Sequence, residues 1–217
     1  MYRLILFLCF VSGCILPVDN VFAKPVDRVM DASVQLSVVL PFGEVPIGSG
    51  TLVRDDDMGL GILTAQHVAE ALDGFTYRAC RLDDDTNCIV LGSYIMDSRN
   101  DLAGDWAFYP IKEAPKKSRP AKIGKRPKIG DDLILAGIPN GSPLIVEGSV
   151  SWDAGPGLVV HGFAYPGSSG GGVFNEDGEL IGLTVAIPIL HDPLGFPTYE
   201  TSLPLVVPIQ NIPFLVN

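Results

Sequence analysis

The sequence predicts an all-β chain in two halves, a double barrel with a cleft between them. Three observations carry this. Glycine (24) and proline (18) are abundant among the 217 residues, a turn-rich composition that favours many short strands over long helices. Short β-branched and aromatic runs alternate with turn clusters along most of the length. A basic stretch from Lys112 to Lys128, punctuated by Pro115, Pro120 and Pro127, divides those runs into two groups. With 47% apolar and 18% charged residues, the chain can bury a core and is not disordered.

Residues 1–23 read as an export leader: Arg3, the apolar run Leu4 to Leu16, and Val21-Phe22-Ala23 as a cleavage site that would leave Lys24 first. Val11-Ser12-Gly13-Cys14 also resembles a lipobox, which would anchor the chain by a lipid on Cys14. Secretion or periplasmic residence is the expectation, lipoprotein the alternative. The remaining domain, 24–217, divides into a first barrel at about 30–111, a linker at 112–128 and a second barrel at about 129–210.

In the first half, strands are expected at Val34 to Leu40, Gly50 to Arg54, Gly61 to Thr64, Cys88 to Tyr94 and Asp105 to Ile111. The second half offers Asp132 to Ala136, Ile145 to Trp152, Leu158 to Ala164, Gly172 to Phe174, Leu180 to Ile187 and Tyr199 to Val207. Helical periodicity occurs only over His67 to Leu72. Asp55 to Gly59 and Asn175 to Gly178 read as hairpin turns, and solvated turns explain their acids better than calcium sites. In an oxidising compartment Cys80 and Cys88, flanking a hairpin-like stretch, are expected to form a disulfide rather than remain two thiols.

The net charge of −10 disfavours nucleic acid and anionic membranes as partners. His67, His161 and His191 stand too far apart for the usual His-rich metal motifs, so no metal or cofactor is expected. Eight of the 15 basic residues lie in 112–128 and none follows Lys128; the stretch reads as a solvated linker before a dock for an anionic partner.

Chemistry centres on Tyr165-Pro166-Gly167-Ser168-Ser169-Gly170-Gly171-Gly172. Glycines on both sides of a serine let the backbone turn tightly and aim two N–H groups at one point, where an oxyanion forms when a hydroxyl attacks a carbonyl. A serine needs a neighbouring base, itself oriented by a third group. Thr64-Ala65-Gln66-His67-Val68 supplies the base, and Asp105-Trp106-Ala107-Phe108-Tyr109 an acid at the head of an apolar strand.

Thr-Ala-Gln-His-Val resembles the histidine box of trypsin-like, chymotrypsin-fold serine proteases, and Gly-Ser-Ser-Gly-Gly resembles their serine box. The wider match is to the HtrA-like branch: Gly48-Ser49-Gly50-Thr51-Leu52-Val53 precedes the first box, and Gly170 to Asn175 runs into Gly178 to Leu183. The resemblance covers most of residues 30–215 and implies two six-stranded antiparallel β-barrels with the active site between them. It implies His67 as general base, Asp105 as its partner and Ser169 as nucleophile, with the Gly167 and Ser169 N–H groups as oxyanion hole. Asp101-Leu102-Ala103 also fits the family pattern, but Gly104-Asp105 interrupts its strand, which favours Asp105.

Ser168 stands where animal digestive proteases carry an aspartate that pairs with a newly cut N-terminus, and no Arg-Ile-Val-Gly-Gly follows the leader; activation by that cut is not expected. With the chain ending at Asn217, no PDZ domain is expected after the protease. Phe163 lies six residues before Ser169 and Thr184 fifteen after it, and with His161 they outline a pocket for a small or apolar P1 residue of a protein or peptide substrate. For His161 the plainer reading is a hydrogen-bonded strand histidine. Two rivals remain. Gly167-Ser168-Ser169-Gly170-Gly171 also satisfies the Gly-x-Ser-x-Gly elbow of α/β-hydrolase esterases, and the fold could serve as a non-catalytic binding module.

Overall fold

The computed structural model describes residues 23–72, 74–96, 102–187, 189–191, 197–199 and 202–215. The expected leader, apart from Ala23, and Asp101 lie outside the described residues. In the first half the elements are α1 (Ala23–Ala32), β1 (Ser33–Leu40), β2 (Gly43–Asp55), β3 (Gly59–Thr64), α2 (Gln66–Ala69), β4 (Thr76–Arg81), β5 (Asp84–Val90), β6 (Ile95–Met96) and β7 (Ala107–Pro110). The second half adds β8 (Asp132–Gly137), β9 (Leu144–Asp153), β10 (Leu158–His161), β11 (Gly172–Asn175), β12 (Leu180–Ala186), β13 (Ile189–His191), β14 (Pro197–Tyr199) and β15 (Leu205–Pro208).

The second half is the expected closed antiparallel barrel of six strands, in the order β10-β15-β12-β11-β8-β9. The first half is one seven-stranded sheet, β5-β4-β1-β2-β3-β7-β6, where six strands were expected. Two of these strands are absent from the expected runs: β4, which pairs with β1 on one side and β5 on the other, and two-residue β6, which adds an edge beside β7. The tight turns match expectation: Asp55 Oδ1 accepts the Asp57 and Met58 N–H groups at 2.9 and 2.7 Å, and Asn175 Oδ1 accepts those of Asp177 and Glu179 at 3.1 and 2.9 Å.

Other boundaries move. β7 begins at Ala107, two residues after Asp105, because Leu102–Gly104 form a 3-10 turn and the Trp106 N–H donates back to Gly104 C=O at 2.8 Å. The run from Tyr199 to Val207 divides between β14 and β15, since β14 pairs with β13 and β15 with β12 and β10. Helix α1 is additional. Pro25 suits a first helical turn, and Val29 and Ala32 are buried; ten residues holding a proline were too short for their periodicity to stand out.

Packing follows strand alternation. In β11, Val173 faces the barrel interior while Phe174 enters the large core shared with the first half. In β12, Ile181 points inward and Leu180 and Leu183 outward; in β15, Val206 and Val207 divide likewise. Edge-on ring contacts of Phe214 with Phe108 (5.0 Å) and Trp106 (5.5 Å) bring the C-terminal turn onto β7.

After a turn at Pro115–Ser118, the stretch to Lys128 crosses between the halves in extended form. The Ala121 N–H donates to Leu52 C=O on one side and the Gly124 N–H to Leu180 C=O on the other, each at 2.8 Å. Arg126 then ion-pairs with Asp153 at 2.7 Å, and its hydrogen bond holds that carboxyl below the usual carboxylate range. Arg28 of α1 donates to Asp177 C=O at 2.7 Å, so α1 reaches the second barrel as well. No helix among the described residues is long and apolar enough to cross a membrane.

Cys80 and Cys88 face each other across the β4–β5 pair and are joined by a disulfide. The loop they close is short, so replacing both by alanine should lower folding stability by about 2–3 kcal/mol. The urea midpoint with and without reductant checks this: the wild-type protein alone should respond to reduction.

Candidate active site

Strand β3 ends at Thr64, and the chain turns directly into the single helical turn of α2, which presents His67 at the surface. The His67 side chain is 49% exposed and that of Asp105 22%. One carboxylate holds the histidine twice: Nδ1 lies 2.9 Å from Asp105 Oδ2 and 3.1 Å from Oδ1, and the His67 backbone N–H donates to Oδ1 at 3.2 Å. An ionised carboxylate only accepts, so in the neutral ring the proton sits on Nδ1 and Nε2 keeps its lone pair. The sheet makes this meeting possible, because Thr64 pairs with Ala107 in the β3–β7 register.

The loop 165–171 precedes β11. The N–H groups of residues 167–171 divide into two sets. Those of Ser168, Gly170 and Gly171 donate to Tyr165, Thr184 and Ser168 carbonyls at 2.8, 2.7 and 2.9 Å. Those of Gly167 and Ser169 make no hydrogen bond among the described residues. Gly167 adopts φ +99° and Gly170 φ +81°, open to glycine without strain. At Gly170 a Cβ would also collide with Thr64 Oγ1 and Ser49 C=O, so the loop lies directly against the strands of the first half.

The structure thus brings His67 and Asp105 into contact. It seats Ser169 beside β2, where its C=O accepts the Ser49 N–H at 2.9 Å; among the described residues the Ser169 hydroxyl makes no hydrogen bond.

A sequence profile of the trypsin-like peptidase domain matches residues 48–183. The chain belongs to this family.

Solved structures agree on the fold of this trypsin-like domain. The HtrA-type protease AlgW with a decapeptide superposes with TM-score 0.65 at 19% identity, over 87% of this chain and 64% of that one. A serine endoprotease from Yersinia pestis gives 0.63 at 21%, over 89% and 64%. An inactive form of Rv3671c from M. tuberculosis gives 0.59 at 15%, over 88% of each chain. At these identities the likeness is one of fold, and the present chain spans less than two thirds of the AlgW and Yersinia chains. No curated protein matches the sequence.

The esterase elbow requires a helix after its serine, whereas strand β11 and the β11–β12 hairpin follow Ser169, which removes that reading. The three residues expected to outline a pocket have different settings. Thr184 is buried, and its backbone both accepts from Gly170 and donates to Gly171 C=O at 2.9 Å, so it supports the serine loop. Phe163 is 39% exposed and stacks edge-on with Tyr165 at 4.9 Å. His161 is exposed at the end of β10.

Two contributors went unremarked in the sequence reading. Tyr165 fixes Ser168 from both sides: its C=O accepts the Ser168 N–H at 2.8 Å, and its own N–H donates to Ser168 Oγ at 3.1 Å. Thr64 bonds Ser49 C=O through its hydroxyl at 2.7 Å. Both sit inside quoted boxes, but hydrogen-bond partners cannot be read from composition. Gly170→Ala should cost more than about 2 kcal/mol of stability and abolish any activity, read from the urea midpoint and a peptidase assay.

Proposed function

We propose that this domain is an exported serine endopeptidase in which His67 acts as general base, Asp105 orients it and Ser169 is the nucleophile. The observation that carries the reading is the double hold of Asp105 on His67, which orients the exposed ring and selects the neutral tautomer with Nε2 as acceptor. The two unspent N–H groups, of Gly167 and Ser169, support an oxyanion hole.

Ser169 Oγ attacks the scissile carbonyl as its proton passes to His67 Nε2. Negative charge gathers on the carbonyl oxygen between the Gly167 and Ser169 N–H groups. The imidazolium, held by Asp105, returns its proton to the leaving amine, and an acyl-enzyme remains on Ser169. Water, activated by the same imidazole, releases the acid.

Substrates are proteins or peptides with a small or apolar P1 residue. The exposed Phe163–Tyr165 ring pair offers apolar surface close to Ser169, and the absence of Lys or Arg after Lys128 leaves an acidic P1 without a partner. The leader over 1–23 would deliver the chain out of the cytoplasm.

Digestion of casein by the purified chain tests this, with Ser169→Ala as control and cleavage sites read by mass spectrometry. Ser169→Ala should lower the rate by about 10⁴- to 10⁶-fold. A folded, disulfide-intact wild-type chain that cuts no unstructured protein would favour the binding-module reading.

A further inference from the structure

Ser49 belongs to β2 in the first half and is 1% exposed, yet most of its polar groups are spent on the second half. Its N–H donates to Ser169 C=O at 2.9 Å. Its hydroxyl donates to Gly167 C=O at 2.7 Å and accepts the Ile138 N–H at 2.8 Å. Its own carbonyl accepts Thr64 Oγ1 at 2.7 Å, three residues before His67. A single buried residue therefore ties the end of the histidine strand through its carbonyl, and the serine loop and the segment leaving β8 through its hydroxyl.

The consequence lies in which peptide planes are fixed. The Gly167–Ser168 peptide is gripped at both ends, its carbonyl by the Ser49 hydroxyl and its N–H by Tyr165 C=O. The Ser168–Ser169 peptide is set by Gly171, whose N–H takes Ser168 C=O at 2.9 Å. The second plane carries the Ser169 N–H, and the first fixes the chain immediately after Gly167, whose own N–H lies in the preceding Pro166–Gly167 peptide. Gly167, at φ +99° and without a Cβ, has no steric barrier of its own against rotation of its carbonyl, so the restraint must come from outside the loop.

We propose that Ser49 is a positioning residue: its hydroxyl locks the Gly167 carbonyl and thereby holds the oxyanion-binding N–H groups and Ser169 in register with His67. The proposal rests on the peptidase reading above. It assigns the serine of Gly48-Ser49-Gly50 a role in the transition state, where the N–H groups must meet a developing charge, and little role in ground-state binding.

Ser49→Ala is the test, with Ser33→Ala as a matched control. Ser33 is equally buried, and its hydroxyl donates to Val29 C=O at 2.7 Å, a bond of the same kind away from the site. On a fluorogenic peptide taken from an observed casein cut, Ser49→Ala should lower kcat by about 10- to 100-fold with KM within about twofold, while Ser33→Ala keeps wild-type kcat. Ser49→Cys, close in size but a weak donor, should fall between serine and alanine and serves if the alanine variant does not fold. Amide exchange at Gly170 and Gly171, followed by NMR, reads the lock without turnover and should quicken by about 10-fold or more in Ser49→Ala alone. Wild-type kcat in Ser49→Ala, or a loss matched by Ser33→Ala, overturns the proposal, as does unchanged exchange. If the wild-type chain itself cuts nothing, the peptidase reading fails, and exchange alone decides whether Ser49 holds the loop.

Discussion

Strands β11, β12 and β15 bury both of their faces, and the rest of the molecule is arranged around that constraint. Adjacent residues enter different cores: Val173 and Phe174, Ile181 and Leu180, Val206 and Val207. A slip of one residue would exchange the two sets, so the register is fixed by packing on both sides. The outward-facing set shares one core with the first half and the C-terminal turns. That fixes where the seven-stranded sheet must sit and places the loop before β11 at the rim of the contact.

The rim is where backbone approaches backbone. Gly170 leaves no space for a side chain against Thr64 and Ser49, and Ser49 crosses the boundary with hydrogen bonds in both directions. Such closeness requires that buried polar groups find partners across the seam, because water has no access to them. His67 and Ser169 come from opposite sides of that seam. Asp105 is brought to His67 from within the first sheet, through the pairing of β3 with β7.

Charge is divided between the halves in a complementary way. No Lys or Arg follows Lys128, so the second barrel has acids and no cations of its own. Arg126 of the crossing segment pairs with Asp153, and Arg28 of α1 caps the carbonyl of Asp177. Segments that precede the second barrel in sequence thus supply positive charge at its surface. These are exposed contacts and contribute modestly to stability, but they give direction to elements that otherwise lack a strand to join.

The amino-acid sequence by itself determined the class of fold, the Asp55 and Asn175 turns and the facing of Cys80 and Cys88. These follow from local rules: turn chemistry, strand alternation and the spacing of punctuating residues. It also offered the histidine, aspartate and serine boxes by type and order. Tertiary structure alone decided that Asp105 holds both the ring and the backbone of His67, and that two of the loop's N–H groups make no hydrogen bond among the described residues. It also decided that β4 and β6 extend the first sheet to seven strands and that α1 packs against the opposite half. Each of these depends on contacts between residues far apart in the chain, from the 38 residues between His67 and Asp105 to the 118 between Ser49 and Gly167. Local propensity carries no information over such distances; burial and the need to pair every buried polar group supply it.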